Sequence, residues 1–238
     1  MYLKNYQVKV VKALNTFFSL ADKKKTEFAQ VLKLMPNMKS QLDFVRATFE
    51  ELKLPYNDNT ARTGLGDSYP RVVVKVPTGG GKTLLAVETI REYQNLFAKR
   101  KQGLVVWIVP SETIYSQTVQ KLKDKSNALR QLLDQCSGGN TLILEKGQRL
   151  TEQDLKENLV VLFVMIQSIA RTNGKEALKV FQDSGGYESF FPADNRYDLH
   201  KQLIEQIPNL DVWADANAAM PQVKTSLGNA IRLTNPLI

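Results

Sequence analysis

Hydrophobic residues at the start of the chain recur every three or four positions, the period of an amphipathic helix. The stripe over residues 3–20 is formed by Val10, Val11, Leu14, Phe17 and Phe18, and residues 26–35 and 40–53 show similar spacing. The run Lys23-Lys24-Lys25 predicts a solvated turn or helix start between the first two helices. We therefore expect residues 1–60 to form an N-terminal helical segment.

Further along, the pattern changes to short apolar runs separated by helical stretches. The predicted strands are residues 71–77, 103–110, 141–145 and 159–165, with helices over 82–99 and 111–123. Strands that are apolar on both faces are typical of a mainly parallel sheet covered by helices, so the pattern predicts an α/β fold. The alternation of strands and helices stops at 171–222, which predicts an insertion within a domain spanning residues 61–238.

Composition and charge indicate which cellular compartment and which partners to expect. No apolar run approaches the ~20 residues that span a bilayer, and the N-terminus lacks a signal peptide, so we expect no membrane association. A lone Cys136 excludes an internal disulfide and favours the reducing cytoplasm. The net charge is +8, and residues 1–53 hold ten Lys or Arg against five Asp or Glu. This excess suits a nucleic-acid partner, although a solvated basic helix face gives the same pattern.

The strongest chemical signal is a glycine-rich turn, Val-Pro-Thr-Gly-Gly-Gly-Lys-Thr at residues 76–83. The amides of Gly79, Gly80 and Gly81 can approach phosphate oxygens because no side chain intervenes. The Lys82 amine would reach the β- and γ-phosphates, and the Thr83 hydroxyl would bind Mg²⁺. Val76 replaces the first glycine of the general pattern, but the core from Thr78 to Thr83 is intact. The alternative is a surface turn that carries Lys-Thr by chance.

Three segments together resemble superfamily 2 helicases and translocases, and within them the restriction (Res) subunit of type III restriction–modification enzymes. They are the turn at 75–83, residues 105–118 (Val-Val-Trp-Ile-Val-Pro-Ser-Glu-Thr-Ile-Tyr-Ser-Gln-Thr) and residues 165–168 (Met-Ile-Gln-Ser). Tyr6-Gln7 resembles the glutamine motif that reads adenine in this superfamily. The later stretches 181–192 and 226–238 also look like that family.

The resemblance implies an incomplete RecA-like first motor domain of the P-loop NTPase class, with ATP and Mg²⁺ as cofactors. It implies adenine contact by Gln7, with its amide as donor and acceptor, and phosphate stabilisation by Lys82. The sugar-phosphate backbone of double-stranded DNA would be contacted by Ser111, Thr113, Gln167 and Ser168. The alternative is that Ser111 only caps its helix, and Gln167 and Ser168 have a corresponding structural alternative. The implied partner is the methyltransferase (Mod) subunit, and the implied activity of the whole enzyme is ATP-dependent DNA cleavage.

No strand-like run in the sequence ends in the acidic pair that ATP hydrolysis needs, so no catalytic set is complete. In the resembled family the Asp-Glu-x-His motif would come just beyond Ile238. We therefore expect nucleotide binding without turnover, and weak stability or self-association through an unpaired sheet edge. Three alternatives stay open: another DNA or RNA helicase of the superfamily, a P-loop kinase or regulatory nucleotide-binding module, and a non-catalytic protein-interaction module.

Overall fold

The structure is a computed structural model that describes residues 2–56, 68–169, 187–207, 210–213 and 220–234. The chain divides into two compact units, Met1–Arg100 and Lys101–Ile238. The domain boundary expected near residue 60 falls outside the described residues, so the predicted domain division stays a prediction. Within the described residues, no helix is both long and apolar enough to cross a membrane.

In the described residues of the first unit, all the extended elements of secondary structure are helices. Its helices are α1 (Asn5–Leu34), a 3-10 helix (Pro36–Ser40), α2 (Phe44–Glu51), α3 (Lys82–Glu92) and a π-helix (Tyr93–Ala98) that continues α3.

The break predicted at Lys23–Lys25 is wrong, since α1 runs through it without interruption. Lysine is a good helix former, and the acidic partners nearby offset the repulsion among the three charges. Lys23 lies 3.9 Å from Glu27 on the same helix face, and the Lys24 amine lies 2.6 Å from Glu51 of α2. The three lysines therefore lie within one long, uninterrupted helix.

An aromatic core holds α1 against the other helices of the first unit. The rings of Phe17 and Phe18 meet edge to face, and Phe17 and Phe18 make the same contact with Phe49 and Tyr93 respectively. Edge-to-face pairs of this kind add about 0.5–1.5 kcal/mol each beyond their area burial. This packing fixes the position of α1.

The strand predicted at 71–77 is wrong: this segment forms no ladder among the described residues of the first unit. Val73 is 83% exposed and Val74 is also exposed, so neither side chain is buried in a hydrophobic core. A strand exists only when its backbone groups are paired with a neighbour, and the sequence of one strand cannot supply that neighbour. The glycine turn that follows must therefore be held by other elements of the unit.

The second unit contains a three-stranded parallel sheet with helices around it, which confirms the α/β fold class. The strands are β1 (Gly103–Val109), β2 (Thr141–Glu145) and β3 (Leu159–Met165), in the order β1-β3-β2. The helices are α4 (Glu112–Lys123), α5 (Ala128–Ser137), α6 (Glu152–Glu157), α7 (Ile166–Ile169), a 3-10 helix (Tyr187–Phe190), α8 (Tyr197–Gln206) and α9 (Leu227–Thr234).

The central strand β3 is buried on both faces, as its continuous apolar run predicts. Alternate residues face opposite layers. One face is packed in a core with Leu104, Val106, Leu150 and Leu227. On the other, Phe163 stacks on Trp107 at 5.4 Å between ring centroids and meets Tyr115 edge to face.

A small polar joint ties Asp211, within the predicted insertion, to the segment that follows the insertion. Buried Asn229 of α9 accepts from the Asp211 amide at 3.0 Å and donates to the Asp211 carbonyl at 2.9 Å. Its amide also donates to the Lys224 carbonyl at 2.8 Å. One side chain thus ties two segments that also meet through the antiparallel bridge between Val212 and Val223.

Helix α3 buries two carboxylates beside a single guanidinium. The Arg91 Nη2 atom lies 2.8 Å from Glu88 and 3.0 Å from Glu92, and the Asn15 amide donates to Glu92 at 2.8 Å. Glu88 is 3% exposed. Desolvation raises the pKa of Glu88; the charge of Arg91 opposes this shift and that of Glu92 adds to it. Relative to the unfolded chain, folding therefore shifts Glu88 toward its neutral form.

We expect Glu88→Gln to raise the free energy of unfolding at neutral pH, because glutamine imitates the protonated carboxyl. A raised folded-state pKa gives stability that is fully present below the ordinary value of 4.5 and is lost as pH rises through the folded pKa. The advantage of the variant should therefore shrink as pH falls toward 4.5. Denaturant titrations across this pH range measure it.

Glu50→Gln is the matched control, since Glu50 is exposed and paired with Arg46 at 2.9 Å. It should leave the free energy of unfolding within about 0.5 kcal/mol of wild type, as expected for a surface substitution. A Glu88→Gln protein that is less stable than wild type at pH 7 would contradict the expectation.

Candidate functional site

The glycine turn has a backbone that only glycine adopts comfortably. Gly79 has a φ of +74° and Gly81 a φ of +78°, both in the left-handed region. Gly80 is needed for space, because a Cβ there would lie 2.6 Å from the Val76 Cγ1 atom and 2.9 Å from the Pro77 carbonyl oxygen. The three glycines are thus required for two distinct physical reasons.

Helix α3 begins directly after this turn, with Gly81 as its N-cap and Lys82 as its first residue. The first four N–H groups of a helix have no partner inside it, and they give its N-terminus a partial positive charge. No acidic residue lies in the first turn. The segment Thr78–Thr83 therefore forms a short loop whose electrostatics favour an anion.

The side chains of the loop are accessible. Thr78 and Lys82 are exposed and Thr83 is partly exposed. The Lys82 amine donates to the carbonyl oxygen of Pro77 at 3.2 Å, folding back over the turn. The structure thus brings the predicted lysine, threonines and glycines together.

The first turn of α1 reaches this loop from far away in sequence. Gln7 is 4% exposed; its Oε1 atom accepts from the Lys4 amide at 2.8 Å, and its Nε2 atom donates to the Gly80 carbonyl at 3.1 Å. A Cβ on Gly81 would lie only 2.6 Å from this Nε2 atom. The predicted glutamine is therefore in direct contact with the predicted phosphate loop.

Sequence reasoning missed the contact made by Tyr6. Its hydroxyl donates to the same Gly80 carbonyl at 2.7 Å, across 74 positions of the chain. The only signal in the sequence was that Tyr6 precedes Gln7 in the glutamine-type motif.

In the second unit, the other candidate residues lie after the carboxyl ends of β1 and β3, which are neighbours. Ser111 and Thr113 are exposed, and Ser111 occupies the N-cap of α4 without a side-chain capping bond. Exposed Gln167 donates to the Pro110 carbonyl at 3.0 Å, so the two segments are joined. Ser168 lies in α7, but its side chain is outside what the structure describes.

The carboxyl end of β2 has a different character. Glu145 is hydrogen-bonded to Lys123, and this bond holds the pKa of Glu145 below its ordinary value. Burial, followed by the charge of Glu145, raises the pKa of Tyr115 to about 12. Near neutral pH this pair is therefore a carboxylate and a neutral phenol.

The single cysteine and the single histidine of the chain, Cys136 and His200, lie in the interior of the fold. Cys136 is buried. His200 is buried too, and its Nδ1 atom accepts from the Val223 amide at 3.2 Å. The described residues contain no group of three or more His, Cys, Asp or Glu side chains placed to hold a metal ion.

Comparison with known proteins adds one match. The family model described as "Type III restriction enzyme, res subunit" matches residues 1–191 of the 238. No curated protein and no solved structure matches the chain. The matched range includes the glycine loop, the Tyr6-Gln7 pair and all three strands of the parallel sheet. The chain therefore belongs to the type III restriction enzyme Res-subunit family, within the helicase-like ATPases.

Proposed function

We propose that this chain binds ATP with Mg²⁺ in the loop Thr78–Thr83, as the N-terminal part of the first motor domain of a type III restriction enzyme. The observation that carries the proposal is the loop itself: two left-handed glycines and a tightly packed third lead into a helix N-terminus that bears Lys82. Such a cradle offers convergent N–H groups to a polyphosphate.

The residues present fit the nucleotide and its metal. Lys82 can exchange its bond to the neutral Pro77 carbonyl for one to phosphate, and charge-assisted hydrogen bonds are about twice as strong as neutral ones. Thr83 offers a hydroxyl oxygen, the hard ligand type that Mg²⁺ prefers alongside water and phosphate oxygens. Bound Mg²⁺ would neutralise part of the phosphate charge.

Gln7 is proposed to contact adenine while it holds the loop. A glutamine amide offers two N–H donors and two acceptor lone pairs, and the two bonds to Lys4 and Gly80 use one of each. One donor and one acceptor then remain, which is the combination that matches the N6/N7 edge of adenine.

Binding without turnover is the corresponding proposal for the chemistry. ATP hydrolysis needs a carboxylate for the metal and a second one to activate water. Among the described strands, none ends in two adjacent carboxylates: β1 leads into Pro110, β3 into Ile166, and β2 ends with Glu145 before Lys146.

The second unit is proposed to contact the backbone of double-stranded DNA through Ser111, Thr113, Gln167 and Ser168. The exposed hydroxyls of Ser111 and Thr113 at a helix N-terminus and the exposed amide of Gln167 suit phosphate oxygens and carry no base readout. In the whole enzyme, sequence recognition is assigned to the methyltransferase partner and cleavage to a nuclease activity. We assign the protein to the cytoplasm, where Cys136 stays reduced.

We expect Lys82→Ala to weaken binding of a fluorescent ATP analogue with Mg²⁺ by at least about tenfold. A hydrogen bond to a charged group contributes about 1.5–3 kcal/mol, and 1.4 kcal/mol corresponds to a factor of ten. Fluorescence titration of the full chain measures the change. Lys33→Ala, which removes an exposed lysine in the last turn of α1, is the control.

Equal affinities for wild type and Lys82→Ala would remove Lys82 from the site. Absence of binding by the folded wild-type chain, checked by circular dichroism, would contradict the proposed function itself.

A second expectation concerns DNA. The double variant Ser111→Ala/Thr113→Ala should weaken duplex binding roughly two- to tenfold, by the same factor for unrelated sequences, because neutral hydrogen bonds to phosphate are lost. The slope of affinity against salt concentration should not change, since no charge is removed. Fluorescence anisotropy with two unrelated duplexes at several salt concentrations tests both points.

Ser116→Ala, on the same helix and exposed, is the control for this experiment. A double variant that discriminates between the two duplexes, or binds both as tightly as wild type, would argue against backbone contact at Ser111 and Thr113.

A further inference from the structure

The carbonyl of Gly80 is the meeting point of two side chains from α1. The Tyr6 hydroxyl donates to it at 2.7 Å and the Gln7 Nε2 atom at 3.1 Å. A carbonyl oxygen has two lone pairs, so these bonds fill its acceptor capacity. Gly80 is buried, so the donors from Tyr6 and Gln7 take the place of water at its carbonyl oxygen.

This carbonyl belongs to the same peptide unit as the Gly81 N–H. The described backbone has no cis peptide bond, so the two groups point in opposite directions across the planar unit. With the carbonyl held toward α1, the Gly81 N–H is directed away from α1. The Gly81 N–H is also the N-cap amide of α3, at the positive end of that helix.

A loop of three glycines does not hold such an orientation by itself. Glycine loses more conformational freedom on ordering than any other residue. The turn has one internal backbone bond, from the Gly80 N–H to the Pro77 carbonyl at 3.0 Å. Contacts that order the turn before a ligand arrives lower the entropy lost on binding.

We propose that Tyr6 is a positioning residue of the phosphate cradle. Its hydroxyl holds the Gly80–Gly81 peptide so that the Gly81 N–H faces the polyphosphate of the ligand. This inference rests on the proposed function and deepens it, because it assigns to Tyr6 a contribution to affinity that is independent of the base. Gln7 shares the same acceptor and combines this role with its proposed contact to adenine.

The test is Tyr6→Phe, which removes the hydroxyl and keeps the ring. Competition titrations against the fluorescent analogue compare three probes with Mg²⁺: ATP, GTP and inorganic tripolyphosphate. We expect affinity for all three to fall by the same factor, about fivefold, the equivalent of one hydrogen bond of about 1 kcal/mol. Tyr2→Phe removes the same hydroxyl from a fully exposed tyrosine and should change none of them.

Gln7→Ala separates the two roles within the pair. It should weaken ATP more than tripolyphosphate, whereas Tyr6→Phe should not distinguish between these probes. Because both side chains donate to one carbonyl, the tripolyphosphate losses of the two variants should not add up in the double variant. Thermal unfolding of each variant is measured in parallel, and titrations are run well below its midpoint.

Unchanged affinity of Tyr6→Phe for all three probes would overturn the inference while leaving the proposed function in place. A loss confined to ATP would also overturn it, because Tyr6 would then act through the base. A wild-type chain that binds no triphosphate would instead overturn the proposed function, and this inference with it.

Discussion

The glycine loop of the first unit depends on contacts from outside it that hold three consecutive glycines in place. Glycine contributes no side chain to packing, so Gly79–Gly81 cannot anchor themselves. The Gly80 carbonyl is held instead by Tyr6 and Gln7 of α1. Helix α1 is in turn fixed further along by the aromatic contacts of Phe17 and Phe18. The geometry of the loop is therefore a consequence of a hydrophobic core that lies several helical turns away.

The second unit follows a different constraint, the burial of β3 between two neighbours. A strand that is apolar on both faces must be covered on both, and parallel pairing then places the ends of β1 and β3 side by side. The bond between Gln167 and Pro110 joins the segments that follow them. In open parallel sheets, ligands bind in the crevice outside the carboxyl ends of the strands.

How far the sequence predicts the fold is clearest from two valine-rich runs that both predict strands. The run at 159–165 forms the buried β3, whereas 71–77 forms no strand in the described residues. Periodicity reports which side chains are apolar, but a strand also needs a backbone partner, and a single segment carries no information about its partner. The wrong prediction at Lys23–Lys25 has a related cause, since the balancing Glu51 lies on another helix.

The candidate site also has residues that the sequence predicts and a contact that it does not. The loop Thr78–Thr83 is recognisable from sequence because its chemistry is contiguous, whereas only the family resemblance links Gln7 to the same site. The contact of Tyr6 spans 74 positions, a separation over which no local rule applies.

The held backbone determines how the loop can respond to a ligand. In the proposed triphosphate complex the Gly80 carbonyl stays fixed, and the Lys82 side chain would move from the neutral Pro77 oxygen, at 3.2 Å, to a charged phosphate. That exchange favours the phosphate, because a hydrogen bond to a charged acceptor is about twice as strong as one to a neutral carbonyl. The glycines are ordered when the chain folds, so less conformational entropy is lost when a ligand binds. In the proposed complex, affinity for a triphosphate would depend on one side-chain exchange and on fixed amides, so a distant helix would influence it.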